Sequence, residues 1–156
     1  MILGAVYPGG AGFMAVLDAS FLVKLVVREP SSVEALRVFR GLVREGEDIR
    51  VPEIALSEAL NAIWKHAVLL EDIGYEEAMR AQKRLRRLWR LIHVYSLEEF
   101  LDKVLEIAIK ARITVYDSFY IVLALVHEDT LYTFDEKMAD KANSLGVKTL
   151  IPYPVS

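Results

Sequence analysis

The amino-acid sequence predicts an α/β fold built around a parallel sheet. Short apolar runs alternate along the chain with longer amphipathic runs, and short turns separate them. Strands that alternate with helices in this way indicate parallel β-α-β units with right-handed crossovers. Hydrophobic residues make up 54% of the 156 residues, which favours a large buried core over disorder. At this length we expect one folded domain, from residue 14 to residue 156.

Five apolar runs have the length and composition of buried strands. Asp18 directly follows the first run, Asp135 directly follows the fourth, and Pro52 closes the second. The predicted strands span residues 15–17, 49–51, 92–95, 131–134 and 147–151.

Amphipathic runs with recognisable ends predict the helices. The second helix begins at Ser31 or Ser32, either of which can cap it, and it ends at Gly46. Ser96 is a typical N-cap for the fifth helix, and Gly146 a typical end for the seventh. The other predicted helices span residues 21–27, 53–70, 76–91, 97–111, 115–127 and 136–144.

The helix over residues 115–127 is predicted to be buried. From Phe119 to Val126 the chain has no charged residue, and a helix that is apolar on every side is a buried helix. It nevertheless opens on an acid, because Thr114 and Asp117 have the spacing of a capping box. Asp117 either only complements the positive helix end or takes part in a site.

The composition excludes several classes of function. The chain has no cysteine, which removes thiol nucleophiles, thiolate zinc sites and disulfides, and which is compatible with an intracellular protein. The net charge of -3 does not indicate a nucleic-acid partner, which would need a local basic patch or a bound cation. No uncharged run is long enough to span a bilayer, so we expect no membrane segment.

Residues 1–13 are predicted to be a flexible N-terminal extension. Pro8, Gly9, Gly10 and Gly12 would break any helix or strand there. The segment also lacks the basic residues that begin a signal peptide.

Four acids are expected at one edge of the sheet. Asp18 and Asp135 follow strands directly, so they lie at carboxyl ends, where α/β sheets bind their ligands. Because two helices follow the third strand, the chain can return to this edge before Asp117. Glu58 lies about a turn and a half into its helix, near the same edge.

Carboxylates gathered without basic partners repel one another and raise one another's pKa values. A hard divalent cation such as Mg²⁺ or Mn²⁺, which takes oxygen ligands, relieves this repulsion and can act on a phosphodiester. Any one of the acids can equally be only a helix cap or a surface group. It is the grouping of all four that favours a metal site.

Four segments together resemble the motifs of the PIN domain family. Each motif is short, but their order and spacing together are specific. The resemblance spans residues 14–151 and is strongest to the VapC-type toxins of toxin–antitoxin pairs. The segments are Asp18-Ala19-Ser20, Pro52 to Asn61 with its central Glu58, Tyr116-Asp117-Ser118-Phe119-Tyr120, and Tyr132-Thr133-Phe134-Asp135.

The resemblance implies a three-layer α/β/α sandwich with strand order 3-2-1-4-5. It also implies a cytoplasmic endoribonuclease that depends on Mg²⁺ or Mn²⁺, usually a homodimer, which a small antitoxin protein holds inactive. The metal-binding and catalytic acids of the family match Asp18, Glu58, Asp117 and Asp135. The polar positions that the family places around this site match Ser20, Asn61 and Thr133.

Basic side chains mark one side of the helix over residues 76–91. They could contact the RNA backbone, although a charge run of this kind is more often a solvated face. Lys65 lies two turns after Glu58, so it could approach the acids or simply end in solvent. The basic residues of the helix are Arg80, Lys83, Arg84, Arg87 and Arg90.

Other interpretations remain open. The chain could be a PIN-like module that acts mainly by binding an antitoxin or another subunit, with little catalysis. A phosphatase of the haloacid dehalogenase type would need a second Asp two residues after Asp18, where this chain has Ser20. A receiver-like domain would need adjacent acids after the first strand, and these are missing.

Overall fold

The structure is a computed structural model that describes residues 14–154. The predicted N-terminal extension, residues 1–13, lies outside the described residues, so that prediction stays untested. Within the described part the chain forms five strands. They are β1 (Ala15–Leu17), β2 (Ile49–Pro52), β3 (His93–Tyr95), β4 (Thr130–Tyr132) and β5 (Thr149–Leu150).

The five strands form one parallel sheet in the order β3-β2-β1-β4-β5. The predicted strand order is therefore confirmed. The chain first builds outwards from β1 through β2 to β3, and then crosses over to place β4 on the other side of β1. Strand order thus reverses between β1 and β4, which is the position where open α/β sheets bind ligands.

Helices cover both faces of the sheet, which confirms the three-layer α/β/α sandwich. Helices α1 to α4 pack against one another, α5 packs on α6, and α6 lies on β1, β2 and β4. The described α-helices are α1 (Ala19–Val26), α2 (Ser32–Arg44), α3 (Ile54–Val68), α4 (Tyr75–Trp89), α5 (Leu101–Ala111), α6 (Val115–His127) and α7 (Glu136–Ser144).

Two strands are shorter or earlier than predicted. Strand β4 ends at Tyr132 rather than at residue 134, because the N–H of Phe134 donates to the Ser20 hydroxyl, 3.0 Å away, instead of continuing the ladder. Strand β5 begins at Thr149 rather than at residue 147, because the Val147 N–H donates to the Ala142 carbonyl at the end of α7.

Helix ends also differ in part from the prediction. Gly46 and Gly146 adopt positive φ angles of 72° and 88° directly after their helices, as expected for glycine at this position. Neither Ser31 nor Ser32 caps α2 with its side chain, because the Ser32 hydroxyl instead accepts from the Glu29 N–H and stabilises the preceding loop. The segment before α5 begins as a 3₁₀ turn, Leu97–Phe100.

Helix α6 is buried over seven consecutive residues, from Ser118 to Ala124, which confirms the prediction. The hydroxyl of Ser118 donates to the Val104 carbonyl at 2.9 Å and ties α6 to α5. Thr114 caps the helix, since its hydroxyl accepts from the Asp117 N–H at 3.1 Å. The burial of α6 therefore fixes where its first turn lies.

A buried ion pair lies at the opposite, amino-terminal edge of the sheet. Asp129, only 3% exposed, precedes β4 and accepts a hydrogen bond from the Arg50 guanidinium at 3.1 Å. Arg50 also binds Asp48 at 3.2 Å, so one cation bridges the segments that lead into β2 and β4.

None of the helices between residues 14 and 154 combines the length and the apolar character needed to cross a bilayer.

Two valines one turn apart on α6 test how much this helix contributes to stability. Val122 is fully buried against Val104 and Phe119, whereas Val126 is 44% exposed. We expect Val122→Ala to lower the free energy of unfolding by roughly 2–3 kcal/mol, through lost burial and a cavity. The matched control Val126→Ala should change it by less than about 0.5 kcal/mol in denaturant unfolding. Equal losses in the two variants would contradict the packing of α6 described here.

Candidate active site

Strand register creates the centre of the site. Leu17 of β1 pairs with Tyr132 of β4, so the next residues, Asp18 and Thr133, lie side by side just beyond the strand ends. The Asp18 N–H continues this pairing by donating to the Tyr132 carbonyl at 3.2 Å. Two residues that are far apart in sequence therefore meet at the point where strand order reverses.

Asp18 is a buried carboxylate, 3% exposed, that accepts three hydrogen bonds. The Ser20 hydroxyl donates at 2.6 Å and the Phe21 N–H at 3.0 Å to one oxygen, and the Thr133 hydroxyl donates to the other. Burial raises the pKa of Asp18 to about 6, the three hydrogen bonds lower it, and the nearby Asp135 carboxylate adds to the rise. Burial therefore outweighs the donors that favour the charged form.

The segment after β4 brings Asp135 to the same place. The hydroxyl of Thr133 accepts from the Asp135 N–H at 2.9 Å, and the Ser20 hydroxyl accepts from the Phe134 N–H. Asp135 then caps α7, since one carboxylate oxygen accepts from the Met138 N–H at 3.1 Å. Ser20 and Thr133 thus link Asp18 to the chain that carries Asp135.

Asp117 lies in the first turn of α6, near Asp135. Burial is the main cause that raises the pKa of Asp117; a hydrogen bond with the Thr114 side chain lowers it, and the charge of Asp135 raises it further. The helix that carries Asp117 therefore places it within electrostatic range of Asp135.

Glu58 approaches from α3 and is held by a buried tyrosine. The hydroxyl of Tyr120 donates to Glu58 Oε1 at 2.7 Å. Burial raises the pKa of Glu58, the hydrogen bond from Tyr120 lowers it, and the charge of Asp117 raises it. The pKa of Tyr120 is raised too, by its burial and then by the charges of Glu58 and Asp18, so Tyr120 stays protonated and remains a donor.

The four predicted acids are therefore electrostatic neighbours, coupled in the order Asp18, Asp135, Asp117, Glu58. None of the ion pairs found among residues 14–154 uses any of them. In the same part of the chain, no three His, Asp or Glu side chains stand close enough together to hold one ion.

The donor set fits a hard divalent cation held through water. All four side chains offer only carboxylate oxygens, and the causes that raise three of their pKa values are relieved by added positive charge. Mg²⁺ keeps several waters and is usually held by one or two carboxylates plus substrate phosphates. Since no three such side chains between residues 14 and 154 lie close together, this mode suits the site better than a closed protein cage.

A cavity of about 550 Å³ opens beside these acids. Helices α1 and α3 both line it, and Glu29, Phe134 and Asp135 complete the lining, so Glu58 and Asp135 are the two of the four acids that line this cavity. Glu58, Asn61 and Lys65 all line it; the role of Asn61 in the site stays a prediction.

The predicted basic face lies on α4, outside this cavity. All five residues are exposed, but two of them already have partners within the protein. Glu77 binds Arg80 at 2.7 Å and Arg84 at 2.8 Å, and Arg84 also donates to the Val26 carbonyl. A role of α4 in RNA binding stays a prediction, and Lys83, Arg87 and Arg90 are its better candidates.

Replacing Asp117 with Asn should stabilise the metal-free protein at neutral pH. The folded state raises the pKa of Asp117 above its usual 3.8, so it binds the proton more tightly than the unfolded state does. Stability is therefore lost as pH rises from 3.8 through the raised pKa, and the variant escapes this loss. With a chelator present, its melting temperature should exceed that of the unaltered chain at about pH 7.5, and the gap should close below about pH 4.

Asp140→Asn is the matched control, because Asp140 is exposed on α7. A gap of similar size in this control, or none in Asp117→Asn, would show that the fold does not raise the pKa of Asp117.

Comparison with known proteins places this fold in a family. The PIN domain model matches residues 15–144. Ribonuclease VapC3 of Pyrobaculum aerophilum is 32% identical over 133 residues, which cover 83% of this chain and 95% of the relative. Exonuclease VapC9 of the same organism is 27% identical over 110 residues, 70% of this chain and 79% of the relative.

A solved structure agrees with this result. The structure of FitAB bound to an IR36 DNA fragment superposes with a TM-score of 0.67 at 18% identity, over 92% of this chain and 98% of that chain. At that identity the likeness supports the fold alone. The family match covers most of the chain, and the sheet order agrees with it, so this protein belongs to the PIN domain family.

Proposed function

We propose that this protein is a divalent-metal-dependent endoribonuclease and the toxin of a toxin–antitoxin pair. The observation that carries the proposal is the coupling of Asp18, Asp135, Asp117 and Glu58, without a basic partner among the described residues, beside an open cavity. A relative of similar length named Ribonuclease VapC3 supports the same activity.

Each acid has a proposed role. Asp18, Asp117 and Asp135 would hold Mg²⁺ or Mn²⁺, directly or through water, and Glu58 would orient the attacking water or hold a second ion. A bound divalent ion activates water and stabilises the charge that develops on a phosphodiester.

The surrounding polar residues of the chain position these acids. Ser20 and Thr133 hold both oxygens of Asp18 and leave it little freedom to rotate. Tyr120 holds one oxygen of Glu58 and leaves the other oxygen available to a water molecule. Asn61, one turn beyond Glu58 on the same wall of the cavity, can hydrogen-bond substrate.

RNA cleavage tests the proposal directly. The unaltered chain with Mn²⁺ should cut RNA, and a chelator should stop it. Asp117→Asn should lose more than about 100-fold in rate, since mutation of groups that only support metal ligands already costs about 10- to 100-fold. Asp140→Asn should cut normally. Cleavage that survives in Asp117→Asn would point to a contaminating nuclease and contradict the assignment.

A circular RNA distinguishes internal from terminal cleavage, a useful distinction because one relative is named an exonuclease. A circle has no ends, so an endonuclease opens it and an exonuclease does not. We expect opened circles with 5′-phosphate and 3′-hydroxyl ends. An intact circle beside a degraded linear RNA would replace the proposed endonuclease with an exonuclease.

The second candidate function is a PIN-like binding module with little catalysis. The observation that favours it is the absence, within residues 14–154, of three acids close enough to hold one ion. Metal that binds only the folded state raises the melting temperature. A chain that Mn²⁺ does not stabilise and that cuts no RNA, but that binds an antitoxin, would establish this function instead.

An exposed apolar stripe on α5 supports a homodimer. Leu101, Leu105 and Ile109 are 54%, 54% and 69% exposed, and residues four apart share one side of a helix. Such a stripe can meet its own copy across a twofold axis, where each subunit contributes the same surface.

An apolar groove between α3 and α4 supports a second protein partner. It has a volume of about 280 Å³, and Arg86 and Arg90 lie beside its apolar side chains. A concave apolar groove with arginines suits an inserted segment that carries apolar and acidic residues, as an antitoxin could supply. The apolar residues that line it are Leu56, Leu60, Leu85 and Trp89.

One exposed leucine on each surface separates the two partners. Leu105→Asp should convert the dimer to a monomer in light scattering, because a charge replaces part of the apolar stripe. Leu60→Asp, 40% exposed and in the groove, should leave the dimer intact and weaken antitoxin binding. A monomeric unaltered chain, or loss of the dimer only in Leu60→Asp, would contradict this assignment of surfaces.

A further inference from the structure

The cavity beside the acids has two chemically different ends. On α3, Glu58 and Lys65 both line it, and they lie about 10 Å apart along the helix axis. From α1 come Ser20 near the acids and Lys24 one turn further on. An acidic end is thus followed by an end that carries two lysines and one carboxylate, Glu29. Such lysines would repel a metal ion, so the basic end is not an extension of the metal site.

Lys24 is held in place by a network of charged side chains. Its ammonium lies 3.1 Å from Glu29 Oε2, 2.9 Å from the Pro30 carbonyl and 5.0 Å from the centre of the Phe134 ring. A lysine ammonium has three donors, so two hydrogen bonds leave one for a ligand.

The same network extends to the end of α3. His66, 8% exposed, contacts Glu29 Oε1 at 2.6 Å through Nε2 and both oxygens of Asp72 at 2.9 and 3.0 Å through Nδ1. Glu29 therefore offsets much of the positive charge of Lys24 and fixes its ammonium at the cavity wall. What Lys24 still offers a ligand is its remaining N–H donor, which can hydrogen-bond a phosphate oxygen.

Lys65 is available to a ligand. It forms no ion pair and no side-chain hydrogen bond within residues 14–154, and it is exposed on the cavity side of α3. Lys24 and Lys65 together are therefore two ammonium groups that line one cavity from different helices, one anchored and one adaptable.

We infer that the Lys24–Lys65 end of this cavity binds an RNA phosphate that flanks the scissile one. The inference rests on the proposed function, since it assumes that the bond to be cut lies at the acidic end. A polyanionic strand that spans both ends would place one phosphate beside the carboxylates that would hold a cation, and a neighbouring phosphate near the Lys24 and Lys65 ammonium groups. Lys24 and Lys65 then fix which bond reaches the acids, and His66 positions Lys24 through Glu29.

The salt dependence of RNA binding tests the inference without requiring cleavage. In a chelator, binding of a single-stranded oligonucleotide is measured over a range of salt concentrations. Each phosphate contact that is lost lowers the slope of log K against log salt by about 0.7 for a single strand. Lys65→Met should show this decrease, and Lys65→Arg should keep the original slope. Lys103→Met, exposed on α5 and outside the cavity, should also keep it.

Cleavage kinetics provide an independent measurement. A flanking-phosphate contact that is equal in the ground and transition states raises KM and leaves kcat unchanged when it is removed. A Lys65→Met protein that cuts RNA with unchanged KM and unchanged salt slope overturns the inference and leaves the nuclease proposal intact. A changed slope in a chain that never cuts RNA supports the phosphate site and defeats the nuclease proposal. No oligonucleotide binding by the unaltered chain at low salt overturns the inference as well.

Discussion

The rest of the structure depends on a carboxylate buried at the centre of the sheet. Asp18 is 3% exposed and has no cationic partner among the described ion pairs, and a buried charge of this kind is costly unless hydrogen bonds compensate it. The donors come from two places: Ser20 and Phe21 in the first turn of α1, and Thr133 directly after β4. The Thr133 donor reaches Asp18 because β1 pairs with β4 in this register, so the sheet topology completes the site.

The same constraint extends outwards through α6. This helix is buried along its middle, yet its first turn carries Asp117, and Tyr120 lies one turn further on. Its packing therefore positions two groups of the site at once. Asp117 has a pKa that the charge of Asp135 raises, and the Tyr120 hydroxyl donates to Glu58. A shift of α6 within the core would disturb both. The buried helix thus connects core packing with the geometry of the candidate active site.

Much of this could be predicted from the sequence, because it follows from local signals. Alternating strands and helices indicate the parallel sheet, and acids directly after strands lie at its carboxyl edge. The individual hydrogen bonds between side chains distant in sequence could not be predicted. In the sequence, Tyr120 is one more residue of a helix predicted to be buried. Its hydroxyl donates to Glu58, 62 positions earlier, because α6 and α3 converge in the fold. Arg84 reads as part of a solvated face, yet it is held by Glu77 and by the Val26 carbonyl.

Acids at the two edges of the sheet differ in whether a cationic side chain neutralises them. At the amino-terminal edge, Asp129 is matched by the Arg50 guanidinium, which shows that this fold can supply a counter-charge where one is useful. At the other edge, no ion pair of the described residues includes the four carboxylates, so the metal-free chain is less stable than it would be with a counter-charge there. An arginine at that edge would raise the free energy of unfolding, but its guanidinium would occupy the place of an exchangeable cation. The stability of the fold and the activity of the site thus favour different groups at the same position.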